Sequence, residues 1–132
     1  MVMNTGTPLK RLSPKKMNDI KSLTNKAINF RDARDWKQFH NPKDEALSLS
    51  LEAAEVLEHF QWKNGPELEK YIKNHKKGLG DELSDVLFWV LLMSHDMGID
   101  ITKAFNKKMV ENKKKYPVKK VKGSNKKYTE YT

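Results

Sequence analysis

The stretch that most restricts the fold of this chain is VLFWVLLM, residues 86–93, in which every residue is apolar. Its neighbours continue at helical spacing, and a helix that is apolar on every face must be buried on every face. A chain of 132 residues forms one domain, with few positions that are so well covered. We therefore expect this helix to pack against a second copy of the chain, and a central helix in a monomeric bundle is the alternative. The run is too short to span a membrane, which needs roughly 20 residues.

Apolar spacing and helix-end signals predict an all-α fold with four longer helices and one short helix. Proline at a first helical position and glycine after a last one mark several of the ends. No stretch shows the alternation that is typical of a β-strand. The predicted helices run from Ser13–Pro14 to about Trp36, from Asn41–Pro42 to Trp62, from Glu67 to about Lys76, from Leu79 to Met97 and from Ile101 to about Lys115.

The ends of the chain differ in composition from its middle. Residues 1–14 are polar and are expected to form a flexible leader. Residues 15–117 contain all five predicted helices and form the helical domain. Residues 118–132 are rich in lysine and nearly lack aliphatic side chains, so we expect a basic, disordered tail.

The formal net charge of +9 is confined to the C-terminal part of the chain. From residue 103 onwards there are eleven lysines and two acids, so the first 102 residues have no net charge. Residues 44–100 contain twelve acids and five lysines. A non-enzymatic helical module that binds nucleic acid through its Lys-rich end is therefore an alternative function. The acidic middle argues against it, so nucleic acid is not the expected partner.

Cysteine is absent, which excludes disulfides, thiolate metal sites and thiol nucleophiles. The first residues contain no apolar stretch of the kind found in secretory signals. Both features are consistent with a reducing compartment, and we expect a cytoplasmic protein.

Two pairs of acids lie in otherwise apolar helices. Glu52 and Glu55 are three residues apart, as are Glu82 and Asp85, so each pair lies on one helix face. If the two helices pack side by side, four carboxylates converge, and their repulsion requires a cation. All-oxygen ligation favours Mg²⁺, with Mn²⁺ as a substitute. Either pair alone is typical of a solvated helix face.

A di-iron site is the rival use of helical carboxylates. That site needs a histidine three residues after a glutamate. Here His59 follows Glu55 by four residues, and the second pair has no histidine beside it. We therefore interpret His59 as a partly exposed helix residue rather than a metal ligand.

Aromatic and basic residues complete a candidate nucleotide site. Trp62 and Trp89 follow the acid pairs at helical spacing, and Trp36 ends the first predicted helix. Such rings suit a flat base, although core packing is the alternative for Trp89. In the last helix, three polar residues form one stripe that would hold an anion against a metal-loaded site, unless it is only a solvated surface. The stripe consists of Lys108, Asn112 and Lys115.

These segments together resemble a known family. FRDARDWKQFHNPKDEALSLSLEAAEVLEHFQW, GDELSDVLFWVLLM and NKKMVENKKKYPV are similar to the all-α nucleoside triphosphate pyrophosphohydrolases, closest to the MazG-like and dCTP pyrophosphatase branch. The resemblance covers about residues 17–118. It implies a MazG-like helical bundle that is completed by dimerisation, as a homodimer or a homotetramer built as a dimer of dimers.

The resemblance also implies a reaction and a role for each candidate residue. Mg²⁺ held by Glu52, Glu55, Glu82 and Asp85 would activate water to attack the α-phosphorus of a nucleoside triphosphate, releasing nucleoside monophosphate and pyrophosphate. Glu55 would serve both as ligand and as general base. The expected biological role is clean-up of the nucleotide pool, with dCTP-like substrates. The matching phosphate positions are Lys108, Asn112 and Lys115, and the matching base positions are Trp36, His40, Trp62 and Trp89.

Two positions depart from the pattern of the vertebrate dCTP pyrophosphatases. Ala27 stands where that branch has a histidine near the base, and Trp89 stands where it has a tyrosine. Both differences concern base recognition and leave the four acids unchanged. The resemblance therefore implies pyrophosphohydrolysis without fixing the preferred base.

Overall fold

A computed structural model describes residues 19–131 of the chain. Within this range the secondary structure consists of six α-helices and two 3-10 turns, without a β-strand, which confirms the all-α prediction. The 3-10 turns are Lys37–Phe39 and Tyr128–Glu130. The helices are α1 (Ile20–Asp32), α2 (Pro42–Phe60), α3 (Gly65–Asn74), α4 (Lys76–Asp96), α5 (Ile101–Lys115) and α6 (Val118–Val121).

Helix α1 is shorter than predicted. The predicted start at Ser13–Pro14 lies outside the described residues. Asp19 has extended backbone and caps α1, because its carboxylate accepts a hydrogen bond of 2.6 Å from the backbone N–H of Ser22. The helix ends at Asp32 rather than near Trp36, since Asp35 has a left-handed φ of 54°, which cannot continue a right-handed helix.

Helix α2 begins where the sequence predicts and ends two residues early. The side chain of Asn41 accepts a hydrogen bond from the backbone N–H of Asp44, and Pro42 occupies the first turn, as expected for an N-terminus. The helix ends at Phe60 because Gln61 leaves the helical conformation and Trp62 has a φ of 68°.

The joint between α3 and α4 differs from the prediction. The short helix was expected to end at about Lys76, but Lys76 is the first residue of α4, and Gly78 lies in the first turn of α4. The break falls instead at His75, which is non-helical and whose ring stacks on Tyr71 at a centroid distance of 3.9 Å. A single residue therefore separates the two helices, and α4 starts three residues earlier than predicted.

The C-terminal part combines a confirmed helix with unexpected local structure. Helix α5 has the predicted bounds, with the side chain of Asp100 accepting from the backbone N–H of Lys103. Beyond it, the rings of Tyr128 and Tyr131 lie 6.1 and 6.4 Å from that of Tyr116. Both rings thus pack around Tyr116. The division into residues 1–14, 15–117 and 118–132 stays a prediction.

Helix α4 is the centre of the fold and packs most extensively against α2, then against α1. Its Leu79, Leu91 and Leu92 are buried together with Ala27 of α1. No helix in residues 19–131 combines the length and apolarity needed to cross a lipid bilayer. Several large apolar side chains remain exposed in the single chain, in particular Leu47, Leu51, Leu83, Leu87, Phe105 and Met109.

Candidate active site

The packing of α2 against α4 brings the predicted carboxylates together. One oxygen each from Glu52, Glu82 and Asp85 lies within 4.8 Å of the others. The carboxyl of Glu55 contacts those of both Glu52 and Glu82. The two helix faces that the sequence indicated thus meet in a cluster of four acids.

Mutual repulsion within this cluster changes its protonation. The carboxyl of Glu82 shares a hydrogen bond with Glu55, and together with burial and the charges of Glu55, Glu52 and Asp85 this raises the pKa of Glu82 to about 7. Burial, followed by the contact with Glu55, also raises the pKa of Glu52. The cluster therefore retains a proton unless another cation replaces it.

The cluster also contains oxygens that have no partner. Oε2 of Glu52 and Oε2 of Glu82 are buried without a hydrogen bond. Across residues 19–131, no lysine or arginine lies within ion-pair distance of the four carboxylates. Unpaired carboxylate oxygens of this kind are the ligands that Mg²⁺ and Mn²⁺ prefer, so the residues present fit a hard divalent ion.

A histidine and a tyrosine extend the cluster toward α3. Nδ1 of His59 lies 2.6 Å from the hydroxyl of Tyr71, and Nε2 lies 4.0 Å from Oε1 of Glu82. If the tyrosine hydroxyl donates to Nδ1, an N–H at Nε2 faces the carboxylate and helps to orient it. The sequence predicted only a partly exposed helix residue at this position, although His59 follows Glu52 by two helical turns and so shares its face.

An apolar cavity of about 420 Å³ lies between α1 and α4 and reaches the edge of the acid cluster at Asp85. Its shape and lining suit the flat ring of a nucleobase. Helical spacing does not predict such a cavity, because an empty volume depends on how two helices pack. The lining residues that bear on the argument are Leu23, Ala27, Phe30, Phe88 and Leu91, with Asp85 at the edge.

The predicted base-contacting residues are only partly grouped. The ring of Trp36 lies 5.7 Å from that of Phe30, which lines the cavity. The ring of Trp89 lies 5.1 Å from that of His40. Trp62 is 88% exposed, and its ring contacts no other aromatic ring in the described part of the chain. Trp36 therefore contacts one residue of the cavity wall, and neither Trp36 nor Trp62 lines the cavity itself.

The predicted phosphate stripe on α5 is not joined to the acids within one chain. Nζ of Lys108 lies 3.8 Å from Glu111 of the same helix, and Nζ of Lys115 lies 4.8 Å from the ring centroid of Tyr128. Asn112 is half-buried on the same stripe. Helix α5 makes few contacts with α2 and α4. The phosphate role of the stripe stays a prediction.

We expect the stability of the metal-free protein to fall as the pH rises from about 4.5 to about 7. The pKa of Glu82 is raised in the folded state from 4.5 to about 7, so the folded protein holds a proton that the unfolded chain releases across this window. Urea denaturation at several pH values, with a chelator or with Mg²⁺, measures the effect. Mg²⁺ should reduce this dependence of stability on pH, because the ion replaces the proton that Glu82 holds.

Two variants test whether Glu82 causes this dependence. Glu82→Gln should reduce the loss of stability with rising pH in the metal-free protein. The part of this loss that other acids cause should remain. Asp81→Asn, which changes an exposed neighbour on the same helix, should behave like the unsubstituted protein. Identical pH profiles for the Glu82→Gln variant and the unsubstituted protein would show that the proton is held elsewhere.

Comparison with known proteins agrees with this arrangement. The MazG-like family model matches residues 47–131. The chain is 36% identical over 123 residues to dCTP pyrophosphatase 1 of Mus musculus, covering 91% of this chain and 71% of the mouse protein. It is 36% identical over 116 residues to dCTP pyrophosphatase 1 of Homo sapiens, covering 86% of this chain and 66% of the human protein.

One solved structure is similar to this chain in both fold and sequence. The crystal structure of a pyrophosphatase from Archaeoglobus fulgidus DSM 4304 superposes with a TM-score of 0.70 at 35% identity. The match covers 74% of this chain and 92% of the archaeal chain. With its acid cluster between two central helices and similarity along most of its length, the chain belongs to the MazG-like family.

Proposed function

We propose that this protein is a Mg²⁺-dependent pyrophosphohydrolase of (deoxy)nucleoside triphosphates, with Mn²⁺ as a substitute ion. The observation that carries the proposal is the convergence of two acid pairs from α2 and α4 without a lysine or arginine partner in residues 19–131. The names of the relatives, dCTP pyrophosphatase 1 and pyrophosphatase, support the reaction class.

The acids have separable roles in this proposal. Glu52, Glu82 and Asp85, whose oxygens lie within 4.8 Å of one another, would hold the ion together with Glu55. When bound, Mg²⁺ supplies positive charge that neutralises phosphate oxygens and increases the acidity of water. Glu55 contacts two of the other acids and is the candidate base that accepts the proton of the attacking water. Attack at the α-phosphorus would break its bond to the bridging oxygen and release pyrophosphate.

The base of the substrate would enter the apolar cavity beside Asp85. Phe30 and Phe88 provide aromatic walls, and their rings lie 5.9 Å apart in an edge-to-face arrangement. The small side chain of Ala27 contributes to the open volume. We propose dCTP-like substrates on the basis of the relatives' names, and a role in clean-up of the cytoplasmic nucleotide pool.

We further propose that the active unit is a homodimer or a dimer of dimers. Exposed leucines lie one helical turn apart on both central helices, Leu47 and Leu51 on α2 and Leu83 and Leu87 on α4. Apolar stripes of this kind mark protein–protein contacts. A partner subunit covering them would also provide a phosphate stripe near the acids, which the single chain does not do.

We expect incubation with dNTPs and Mg²⁺ to yield nucleoside monophosphate and pyrophosphate. Asp85→Asn or Glu52→Gln should lower kcat/KM on the order of 100-fold or more, because even residues that only support a metal ligand are worth about 10–100-fold. Product analysis by chromatography and steady-state kinetics measure both effects.

Asp81→Asn is the matched control, since Asp81 lies one turn before Asp85 and pairs with Lys77 at 2.8 Å. It should retain turnover. Release of nucleoside diphosphate and orthophosphate, or near-normal turnover after Asp85→Asn, would contradict the proposal. No turnover combined with salt-sensitive nucleic-acid binding would favour the alternative of a non-enzymatic module.

We expect Ala27→Leu to impair substrate binding by filling the cavity. Lost room for the base should raise KM for dNTPs about tenfold, the scale of adding or removing a few carbon atoms in a substrate pocket. Circular dichroism and Mg²⁺ affinity should stay unchanged. Asn29→Leu introduces the same side chain at an exposed position of α1 and should leave KM unaltered. Equal KM values for the Ala27→Leu variant and the unsubstituted protein would place the base elsewhere.

We expect Leu51→Glu with Leu87→Glu to convert the oligomer to a monomer, because charge on a desolvated apolar contact is costly. Analytical ultracentrifugation measures the mass. Leu57→Glu is the control, since Leu57 is also exposed but lies on a different face of α2. A monomeric unsubstituted protein would refute the oligomer proposal.

A further inference from the structure

A second group of potential metal ligands lies away from the acid cluster. Atoms of His40, Glu45 and Asp96 lie within 4.8 Å of one another. On α2, Glu45 precedes Glu52 by seven residues, about 10 Å along the axis, and on α4, Asp96 follows Asp85 by eleven residues, about 16 Å. The two groups are therefore at different levels of the same helix pair.

Glu45 is the residue that requires an explanation. It is 1% exposed, no donor reaches either of its carboxylate oxygens, and its carboxyl lies against that of Asp96. Nδ1 of His40 is likewise buried without a partner. A buried carboxylate that accepts no hydrogen bond is strongly destabilised when it is ionised. The neighbouring Asp96 provides no donor while it is ionised.

Arg31 satisfies only part of this cluster. Its Nη1 donates to Oδ2 of Asp96 at 2.5 Å and its Nε to Oδ1 of Asp32 at 3.1 Å. One guanidinium thus faces three carboxylates, those of Asp32, Asp96 and Glu45. The carboxylate of Asp32 is half exposed, so water screens its charge, and Asp96 matches the charge of Arg31. An ionised Glu45 is therefore left without a matching positive charge, which a bound cation would supply.

We propose that His40, Glu45 and Asp96 bind a divalent transition-metal ion, with Zn²⁺ as the best fit. An imidazole with two carboxylates is a ligand set that suits Zn²⁺ and distinguishes this site from the all-oxygen cluster. In a tetrahedral site with ligand atoms at about 2.0–2.2 Å from the ion, these atoms lie about 3.4 Å apart, so side-chain rotations that move them by roughly 1–1.5 Å would close the site. The Asp96 side chain is 15% exposed, which leaves a route for the ion and a water ligand.

The ion would connect three parts of the chain, namely the loop before α2, the first turn of α2 and the end of α4. The inference does not depend on the proposed activity, because none of the three ligands belongs to the four-acid cluster. Its test therefore measures binding rather than turnover.

The test uses the full-length Glu52→Gln/Glu82→Gln protein, in which the acid cluster is disabled. Equilibrium dialysis with Zn²⁺ in the presence of excess Mg²⁺ should give one Zn²⁺ per chain. Adding Glu45→Gln should weaken this binding on the order of 10–100-fold or more. Glu69→Gln, at an exposed position of α3, should leave it unchanged. Absence of Zn²⁺ from the Glu52→Gln/Glu82→Gln protein, or equal binding after Glu45→Gln, would overturn the proposal and assign Glu45 a proton instead.

A second measurement avoids any substitution at Glu45. Zn²⁺ should protect His40 from modification by diethyl pyrocarbonate, as mapped by mass spectrometry. His75 and His95 are exposed and serve as internal references that remain reactive. Equal modification of His40 with and without Zn²⁺ would refute its role as a ligand even if the Glu45→Gln variant does not fold.

Discussion

The repulsion between carboxylates that α2 and α4 bring together is the constraint on which the rest of the structure depends. Apolar contacts along these helices hold them together, and Leu79, Leu91 and Leu92 make α4 the centre of the fold. The same contacts bring acids of both helices into one seam. Because like charges at such distances cannot all remain ionised and unpaired, the fold requires protons or cations at defined points.

The protein meets this requirement in different ways at the Asp96 end of the two helices and at the four-acid cluster. At Asp96 the protein provides its own cation, because Arg31 of α1 is 1% exposed and pairs with the carboxylate. At Glu52 and Glu82 the described chain provides none, and the raised pKa values show the cost of that arrangement. Sites that carry function often retain such a cost, since a group that is perturbed in the free protein gains most when its ligand binds.

The sequence predicted the features that depend on local spacing. An interval of three residues places Glu52 and Glu55 on the same face of α2. The start of α5 agrees with the prediction, and the side chain of Asp100 caps it. It did not predict the His75 break or the left-handed backbone at Trp62, because the chemistry of single residues at these joints is weak compared with tertiary packing. Spacing alone did not predict that Glu45 is buried, although its seven-residue interval to Glu52 places both on the face toward α4.

The position of α1 links the two levels of the seam. The ion pair between Arg31 and Asp96 joins the end of α1 to the end of α4, and loss of one partner of such a buried pair is strongly destabilising. Phe30 directly precedes Arg31, and Ala27 lies one turn earlier, so the wall of the cavity is held by this contact. The opposite wall carries Asp85 on α4. The position of the cavity relative to the acid cluster thus depends on where α1 packs on α4. The Arg31–Asp96 pair, although it lies far from the four acids, therefore helps to set the distance between the sites for base and phosphate.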